Sequence, residues 1–265
     1  MIRVDSRLRV FICAYLAQIC GNICSSPCLR DSVVDFPLRP LRPLRLNLSP
    51  VSTKSKPPFC IGIAGPSCSG KTSIAVRLAA LLPGESTIFG LDSYFADLSH
   101  LPFPERRKFN FDRPEGVEDR LLAGHLLALS RGETIQRPVF DFPTHTRMQD
   151  RFEVIRPGDF LIVEGLFTFY WPEVRSVFDL RAFVAAPDPV CFERRKTRDI
   201  AERGYNLDFV LMQYNTNVRP GSDQFILPTR EFADLVVGGE QPIEESARQI
   251  HRLASDRLAQ KNGGR

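Results

Sequence analysis

The stretch that decides the fold of this 265-residue chain is Gly65-Pro66-Ser67-Cys68-Ser69-Gly70-Lys71-Thr72. It matches the phosphate-loop pattern G-x-x-x-x-G-K-[ST] at every fixed position. In such a loop the glycines let the backbone wrap a phosphate, and the amide groups and the following helix N-terminus supply positive potential. The pattern predicts that Lys71 contacts the β- and γ-phosphates and that the Thr72 hydroxyl binds Mg²⁺. We expect Lys71 at the surface of the loop. We therefore predict that these eight residues bind a nucleoside triphosphate.

The residues around this loop predict an α/β fold. The apolar run Phe59–Ala64 is typical of a buried parallel strand, and the spacing after the loop predicts a helix over Lys71–Leu82. Further strands are predicted over Ser86–Leu91, Phe160–Val163, Leu180–Ala185 and Ala233–Val237. Further helices are predicted over Val117–Arg131, Pro189–Arg203 and Pro242–Leu258. This alternation indicates a Rossmann-like P-loop domain, with a parallel sheet and right-handed crossovers flanked by helices.

The segment Ile135–Val154 does not fit this alternation. It is rich in β-forming residues but contains the string PVFDFPTHTR, whose prolines are unsuited to a central strand. We predict a β-hairpin that forms a flap rather than a core strand.

Two carboxylates follow strands of the predicted sheet. Asp92 comes after the second strand, in LDSYF, and Glu164 after the third, in LIVEGLF. Ligands of open parallel sheets bind at the carboxyl ends of the strands, so we expect both side chains to face the phosphate loop. Phosphoryl transfer needs an acid to hold Mg²⁺ or its waters and a base for the acceptor hydroxyl. Either residue alone fits a helix cap or a solvated turn equally well, but their joint position favours catalysis.

A basic run, ERRKTRDIAERG, lies in the predicted helix Pro189–Arg203 and allows two interpretations. Its arginines can form a solvated face, paired with acids of the same helix. They can also form a mobile lid that closes over the γ-phosphate, where the charge of the transition state requires cations. The basic residues are Arg194, Arg195, Arg198 and Arg203, and the acids are Glu193, Asp199 and Glu202.

Charge and composition exclude several other classes of protein. Residues 1–57 hold nine Lys and Arg against three Asp and Glu, whereas the remainder holds 26 against 28. The body of the protein therefore has no general bias toward nucleic acid. The Asn-Lys-x-Asp string of GTPases and the Leu-Ser-Gly-Gly signature of ABC-type ATPases are absent from the sequence. No apolar run reaches the length of about 18 residues that would predict a membrane span.

Residues 1–57 are predicted to be an Arg- and Pro-rich leader outside the catalytic domain, which we expect over 58–260. Repeated prolines there oppose both helix and β-ladder. Three interpretations stay open: a disordered leader, a targeting signal around Val10–Cys20, or a translation start further along, for example at Val51. Four of the seven cysteines lie in the first 28 residues, without the paired spacing of a zinc site. A reduced, cytoplasmic protein is the simplest interpretation.

Several strings, in this order, resemble those of the uridine kinase family, part of the uridine kinase/phosphoribulokinase group of P-loop proteins. The resemblance covers about residues 59–240 and rests on GPSCSGKTS, LDSYF, KFNFDRPEGVE, RPVFDFPTHTR, IVEGLF, RRKTRDIAERG and FILPTREFADLVV. It implies an enzyme that uses ATP and Mg²⁺ to phosphorylate the 5′-hydroxyl of uridine or cytidine, in pyrimidine salvage. Relatives are commonly oligomeric, so the resemblance is consistent with a homo-oligomer without fixing the oligomeric state, and it gives no reason to expect a nucleic-acid or membrane partner.

The resemblance implies roles at the phosphate-transfer end of the site. Asp92 would be the base beside the nucleoside 5′-hydroxyl, and Thr72, Asp92 and Glu164 would surround Mg²⁺. Lys71 would act on the transferred phosphoryl group together with the arginine helix. The lid over the triphosphate would contain Arg198 and Arg203, with Gln213 nearby.

The resemblance also implies the nucleoside contacts. The ribose hydroxyls would be held by Asp112 and Arg195, a contact that lets a sugar-binding site reject other alcohols. Phe111 and Phe142 would wall the pyrimidine, and His145 would reach the base edge.

Three residues depart from the family pattern. Phe140, in the flap, stands where the family often has a tyrosine that hydrogen-bonds the 4-substituent of the pyrimidine. Phe95, in LDSYF, also stands where we expect a tyrosine near the base. Tyr205 follows the lid glycine where an arginine is common. These substitutions reduce the polar contacts available to the base.

Two alternatives therefore remain open at this stage. One is a P-loop kinase of another alcohol, such as another nucleoside, a ribosyl cofactor precursor or pantothenate. The other is a nucleotide-binding regulator without catalysis. Intact Lys71, Asp92 and Glu164 argue against the regulator, because a decayed site would be expected to lose at least one of them.

Overall fold

The computed structural model describes residues 56–263, and its centre is a five-stranded parallel sheet in the order β2-β5-β1-β6-β7. The strands are β1 (Phe59–Ala64), β2 (Ser86–Gly90), β5 (Phe160–Glu164), β6 (Leu180–Ala185) and β7 (Leu235–Gly238). A separate antiparallel pair is formed by β3 (Ile135–Asp141) and β4 (Thr146–Ile155). The predicted α/β fold is thus confirmed, while the leader at 1–57 lies, except for its last two residues, outside the described residues.

Helices connect these strands. They are α1 (Lys71–Leu81), α2 (Phe103–Arg106), α3 (Asp119–Ser130), α4 (Pro172–Arg175), α5 (Asp188–Ala201), α6 (Leu207–Gln213), α7 (Arg219–Gly221) and α8 (Ile243–Gly263). Short 3₁₀ turns occupy Leu91–Tyr94, Pro114–Gly116 and Leu227–Phe232. None of the described helices is long and apolar enough to cross a membrane.

The sheet is buried on both faces because successive strand residues enter two different apolar layers. One layer includes Ile61, Ile63, Ile74, Leu78 and Ile250, from β1, α1 and α8. The other includes Cys60, Phe89, Leu122, Leu126 and Phe183, from β1, β2, α3 and β6. Full burial of a large apolar side chain stabilises the fold by about 1.5–3 kcal/mol. Burial on both faces explains why β1 is an unbroken apolar run rather than an alternating one.

The carboxyl ends of β1, β2 and β5 lie side by side. Ile63 pairs with Glu164 across β1 and β5, and Gly90 pairs with Glu164 across β2 and β5. Since the phosphate loop follows β1 directly, it begins at the same edge. One predicted boundary is corrected: β2 ends at Gly90, so Asp92 lies in the 3₁₀ turn Leu91–Tyr94 and not at the end of the strand. A single short turn keeps Asp92 next to the end of β5.

The predicted flap is the hairpin β3–β4. Its ladder shifts register between Pro138 and Phe140, because proline has no N–H to donate to the partner strand. At its tip the His145 N–H donates to the Phe142 carbonyl at 3.3 Å, with His145 at a left-handed φ of 53°. The hairpin thus presents a tightly turned tip that carries both an aromatic ring and a histidine.

The segment from Leu207 to Phe232 is helical, and the sequence did not predict it. Wider helical turns at Tyr214–Val218 and Ser222–Ile226 flank α7. The pair Pro220-Gly221 within this stretch resembles a loop signal in sequence. Gly221 is required there by packing, since a Cβ atom would lie 2.2 Å from the carbonyl oxygen of Asp112.

Candidate active site

The phosphate loop has the backbone that its glycines allow. Gly65 and Gly70 have φ values of 149° and 104°, which disfavour other residues. A Cβ atom on Gly65 would also lie 2.4 Å from the Val184 carbonyl oxygen of β6. Cys68 adopts a left-handed φ of 62°, and the Ser69 N–H donates to the Pro66 carbonyl at 3.2 Å. The loop is therefore a fixed concave turn that leads into α1.

Lys71 is buried rather than on the loop surface, which corrects our expectation. Only 7% of the surface of Lys71 is exposed, and its Nζ donates to the Pro66 carbonyl at 2.6 Å. Burial lowers the pKa of Lys71, while the nearby carboxylates of Glu164 and Asp92 oppose that shift. The amine is thus held at the loop by a backbone acceptor, in a region where charge interactions are stronger than in water.

Glu164, Asp92 and Thr72 meet beside Lys71. Burial raises the pKa of Glu164 to about 7, the charge of Asp92 adds to this, and Lys71 and a hydrogen bond from Thr72 oppose it. Two neighbouring carboxylates and a hydroxyl are hard oxygen donors of the kind that Mg²⁺ prefers. Within residues 56–263 no group of three His, Cys, Asp or Glu side chains could hold a metal. Thr72, Asp92 and Glu164 therefore fit a Mg²⁺ ion that takes its other ligands from nucleotide phosphates and water.

The arginine helix α5 lies against the phosphate loop. Arg195 Nη1 donates to Ser67 Oγ at 3.0 Å, and Arg194 Nη1 donates to the Gly239 carbonyl at 2.9 Å. Arg195, Arg198 and Arg203 all pair with the buried carboxylate of Asp199. The structure thus shows the pairing with a nearby acid, and it also places Arg194 and Arg195 in contact with the loop, since Arg194 Nη1 donates to the Cys68 carbonyl at 3.4 Å.

Asp112 is buried close to the same arginines. Burial raises the pKa of its carboxyl, Arg195 opposes this shift, and the charge of Asp92 adds to it. Its N–H donates to Asn110 Oδ1 at 2.9 Å, which fixes the turn that carries it. The backbone of Gly221 packs closely against the main-chain carbonyl of Asp112. The structure therefore places Asp112 close enough to Arg195 for their charges to interact, and Arg195 contacts the loop at Ser67.

Phenylalanine rings form a cluster between the flap and the 3₁₀ turn after β2. Phe140, at 3% exposure, lies 5.4 Å from Phe95, 5.6 Å from Phe111 and 5.3 Å from Phe142, measured between ring centroids. Phe95 also lies 5.0 Å from Phe111. The two departures at Phe95 and Phe140 are therefore neighbours in space, and this cluster presents two phenyl rings where the family pattern has tyrosines.

His145 and Tyr205 join the flap to the segment after the arginine helix. His145 Nε2 and Tyr205 Oη are 2.8 Å apart. Burial lowers the pKa of His145, and Arg107 and Arg203 lower it further, so all three favour the neutral form of the ring. Arg203 in turn lies over the Phe142 ring at 5.1 Å. The third departure from the family pattern, Tyr205, is thus part of a contact between the β3–β4 hairpin and the segment after α5.

Gln213 is engaged within the protein. Its Nε2 donates to the Arg107 carbonyl at 3.5 Å, and its Oε1 accepts from Asn217 Nδ2 at 3.3 Å. The Arg107 guanidinium lies 4.8 Å from the Phe209 ring centroid. These contacts tie α6 to the end of α2.

Sequence reasoning missed the central position of Asp199 and the pairing of Tyr205 with His145. A signal for Asp199 existed, since Arg195, Asp199 and Arg203 are spaced i, i+4 and i+8 in the predicted helix Pro189–Arg203, although α5 itself ends at Ala201. No local signal connects His145 with Tyr205, which are 60 residues apart.

A phosphate loop at the carboxyl edge of a parallel sheet, with an arginine helix against it, defines the class: the protein is a P-loop phosphotransferase, a kinase that uses ATP. Residues 60–242 match the family model described as "Phosphoribulokinase / Uridine kinase family". The chain belongs to this family.

Relatives agree with this assignment, and a solved structure shares the fold. The chain is 40% identical over 190 residues to the uridine kinase of Chloroflexus aurantiacus, covering 70% of this chain and 90% of that protein. It is 39% identical over 204 residues to the uridine kinase of Shewanella amazonensis, covering 73% and 96%. Phosphoribulokinase from Rhodobacter spheroides shares the fold, with a TM-score of 0.52 and 17% identity over 71% of this chain and 75% of that one.

Proposed function

We propose that this protein transfers the γ-phosphoryl group of ATP to the 5′-hydroxyl of a pyrimidine nucleoside, uridine or cytidine, in cytoplasmic pyrimidine salvage. The observation that carries the proposal is the near-complete coverage of uridine kinases at about 40% identity. The site supports it, because a buried acid beside an arginine suits ribose hydroxyls and the phenylalanine cluster suits a flat base.

In this proposal the loop and the basic residues bind the triphosphate. The amides of residues 65–72 surround the phosphates, and Lys71, Arg198 and Arg203 place positive charge where negative charge develops in the transition state. Arg195 joins the ribose side to the loop through its contact with Ser67. This chain's contribution to the rate is positioning and charge stabilisation.

Proton transfer is assigned to Asp92. Its carboxylate is exposed at the carboxyl edge of the sheet, where it accepts the proton of the 5′-hydroxyl as that oxygen attacks phosphorus. Thr72, Asp92 and Glu164 would hold Mg²⁺, which when bound neutralises charge on the β- and γ-phosphates. Phe111, Phe140, Phe142 and His145 would bind the base, and Gln213 would support the segment beside it.

An ADP-release assay with purified protein tests the proposal against a panel of nucleosides and small alcohols. We expect turnover with uridine or cytidine to exceed that with purine nucleosides, pantothenate and ribosyl cofactor precursors. Faster turnover with any non-pyrimidine acceptor would reject the pyrimidine assignment in favour of that alcohol. Light scattering on the same sample tests the proposed homo-oligomer.

Phe140→Tyr tests the base-binding role of the flap. We expect kcat/KM for at least one pyrimidine nucleoside to rise about two- to tenfold, because a neutral hydrogen bond contributes about 0.5–1.5 kcal/mol net. Since Phe140 is buried, its new hydroxyl is desolvated in the free enzyme and gains its acceptor from the base. The variant should therefore show a larger nucleoside-induced rise in melting temperature than the wild type. An unchanged thermal shift together with unchanged kcat/KM would mean that Phe140 does not face the base.

Tyr205→Phe tests the contact between flap and lid. Removing the hydroxyl breaks the 2.8 Å bond to His145. We expect KM for the nucleoside to rise about two- to tenfold, from the loss of one neutral hydrogen bond, with KM for ATP unchanged. Initial rates at varied nucleoside and fixed saturating ATP measure this. A rise confined to KM for ATP would instead place Tyr205 on the triphosphate side of the site.

A further inference from the structure

Asp199 is a buried carboxylate shared by three arginines. Its side chain is 3% exposed, and its oxygens lie 3.1 Å from Arg195 Nε, 2.8 Å from Arg198 Nη2 and 3.4 Å from Arg203 Nη1. Arg198 Nε also donates to Asp199 Oδ1 at 2.9 Å. Its backbone carbonyl accepts from the Tyr205 N–H at 3.1 Å, which anchors the end of α5. One side chain thus gathers the basic residues that the proposed function assigns to the triphosphate and ribose.

The cluster is short of negative charge. Among residues 56–263, the three largely buried guanidinium groups form ion pairs with one carboxylate, and charges removed from water are costly unless they are paired. Burial lowers the pKa of Arg203, and the charge of Arg198 lowers it further. Asp92 and Asp112 act on these arginines through space, while the ion pairs go to Asp199. The contact of Arg195 with Ser67 places the cluster at the phosphate loop, so a polyphosphate is the anion that would complete it.

We propose that Asp199 is a positioning residue that serves as an internal counter-ion: it holds the three arginines in place in the free enzyme and gives up part of their charge to the triphosphate of ATP. This inference rests on the proposed role of the arginines as a lid. The carboxylate competes with the phosphates for the same guanidinium groups. It therefore weakens anion binding, and in return it fixes the directions of the arginines before the reaction.

This role predicts opposite changes in affinity and turnover. Without the negative charge, the arginines attract an anion more strongly but are no longer aimed at the transferred phosphoryl group. A residue that only supports the fold would weaken both anion binding and turnover when it is replaced. The direction of the affinity change thus separates the two roles.

The test compares Asp199→Asn with the wild type in two measurements. Isothermal titration with inorganic tripolyphosphate, without nucleoside and at fixed ionic strength, should give a Kd about threefold or more below that of the wild type, because one competing charge is removed. The kcat at saturating ATP, with the best acceptor of the panel, should fall about 10- to 100-fold, because the arginines are no longer aligned with the transferred phosphoryl group. Weaker tripolyphosphate binding, or an unchanged kcat, would overturn the inference.

Glu193→Gln is the matched control on the same helix. Glu193 pairs with Lys196, and 60% of its side chain is exposed. We expect wild-type values of Kd and kcat from it. A tightening equal to that of Asp199→Asn would show a general charge effect and overturn the inference.

Two further variants keep the test decisive. If Asp199→Asn does not fold, Asp199→Glu keeps the charge but moves it, so kcat should fall while the tripolyphosphate Kd stays at the wild-type value. Wild-type kcat, or losses in both quantities, would overturn the inference. Arg198→Ala should weaken tripolyphosphate binding. If it does not, the lid role in the proposed function fails, whereas failure of the Asp199 variants alone overturns only the counter-ion role.

Discussion

Lys71→Ala should lower kcat about 10²–10³-fold, the loss that follows removal of one preorganised group that stabilises charge in a transition state. The structure strengthens this expectation, because Lys71 is buried and its Nζ is fixed on the Pro66 carbonyl at 2.6 Å. In a desolvated position its charge acts on the phosphates with less screening than a surface lysine would have. The measurement is kcat at saturating ATP and nucleoside in an ADP-release assay.

Stability should change much less than turnover. Loss of the amine removes one hydrogen bond, worth about 0.5–1.5 kcal/mol net, but the Pro66 carbonyl still accepts from the Ser69 N–H, and the unfavourable burial of a cation is also removed. Lys71→Met keeps the volume and should show the same kcat loss with a melting temperature near that of the wild type. Lys261→Ala, which removes an exposed lysine paired with Asp179, should retain wild-type turnover. Near-wild-type turnover of Lys71→Met would reject the phosphate-loop assignment.

The sequence was sufficient to predict the parts of the fold whose cause is local. β1 and β6 have the predicted bounds because β1 is an unbroken, buried apolar run and β6 is a short segment that is apolar except for Arg181. The glycines and lysine of the phosphate loop predict its backbone, since few other sequences tolerate the φ values of Gly65 and Gly70. The meeting of Asp92 and Glu164 followed from a general property of parallel sheets.

Features that depend on long-range packing could not be predicted. The helical path through Pro220 and Gly221 exists because the glycine backbone fits against the Asp112 carbonyl, a contact that no local pattern indicates. The surroundings of Lys71 include Asp92, Glu164 and Cys191, which are far from it in sequence. Likewise, Phe95 and Phe140 differ from the family pattern at two separate places in sequence, and only the fold makes them neighbours.

The acceptor side of the reaction is tested by Asp92→Asn, which keeps the size of the side chain but removes both a base and a charge. We expect kcat to fall about 10²–10⁴-fold, the usual span for a general base. ATP binding should persist, because the loop amides, Lys71 and the arginines are unchanged. The charge of Asp92 contributes to the raised pKa of Glu164, so its removal favours the ionised form of Glu164. A loss of turnover in this variant therefore cannot be attributed to a weaker Glu164 carboxylate.

Two measurements separate the roles that Asp92 could have. Titration with ATP and Mg²⁺ reports nucleotide binding, and single-turnover phosphorylation at saturating ATP and nucleoside reports the chemical step. Asp119→Asn, at the exposed start of α3, is the matched control and should behave as the wild type. If ATP binding were lost in Asp92→Asn while the single-turnover rate at saturation were unchanged, Asp92 would be a ligand of the metal–nucleotide complex and not the base. Because proton acceptance is needed only when the hydroxyl attacks, a base must show its effect in the single-turnover rate, and that rate decides the assignment.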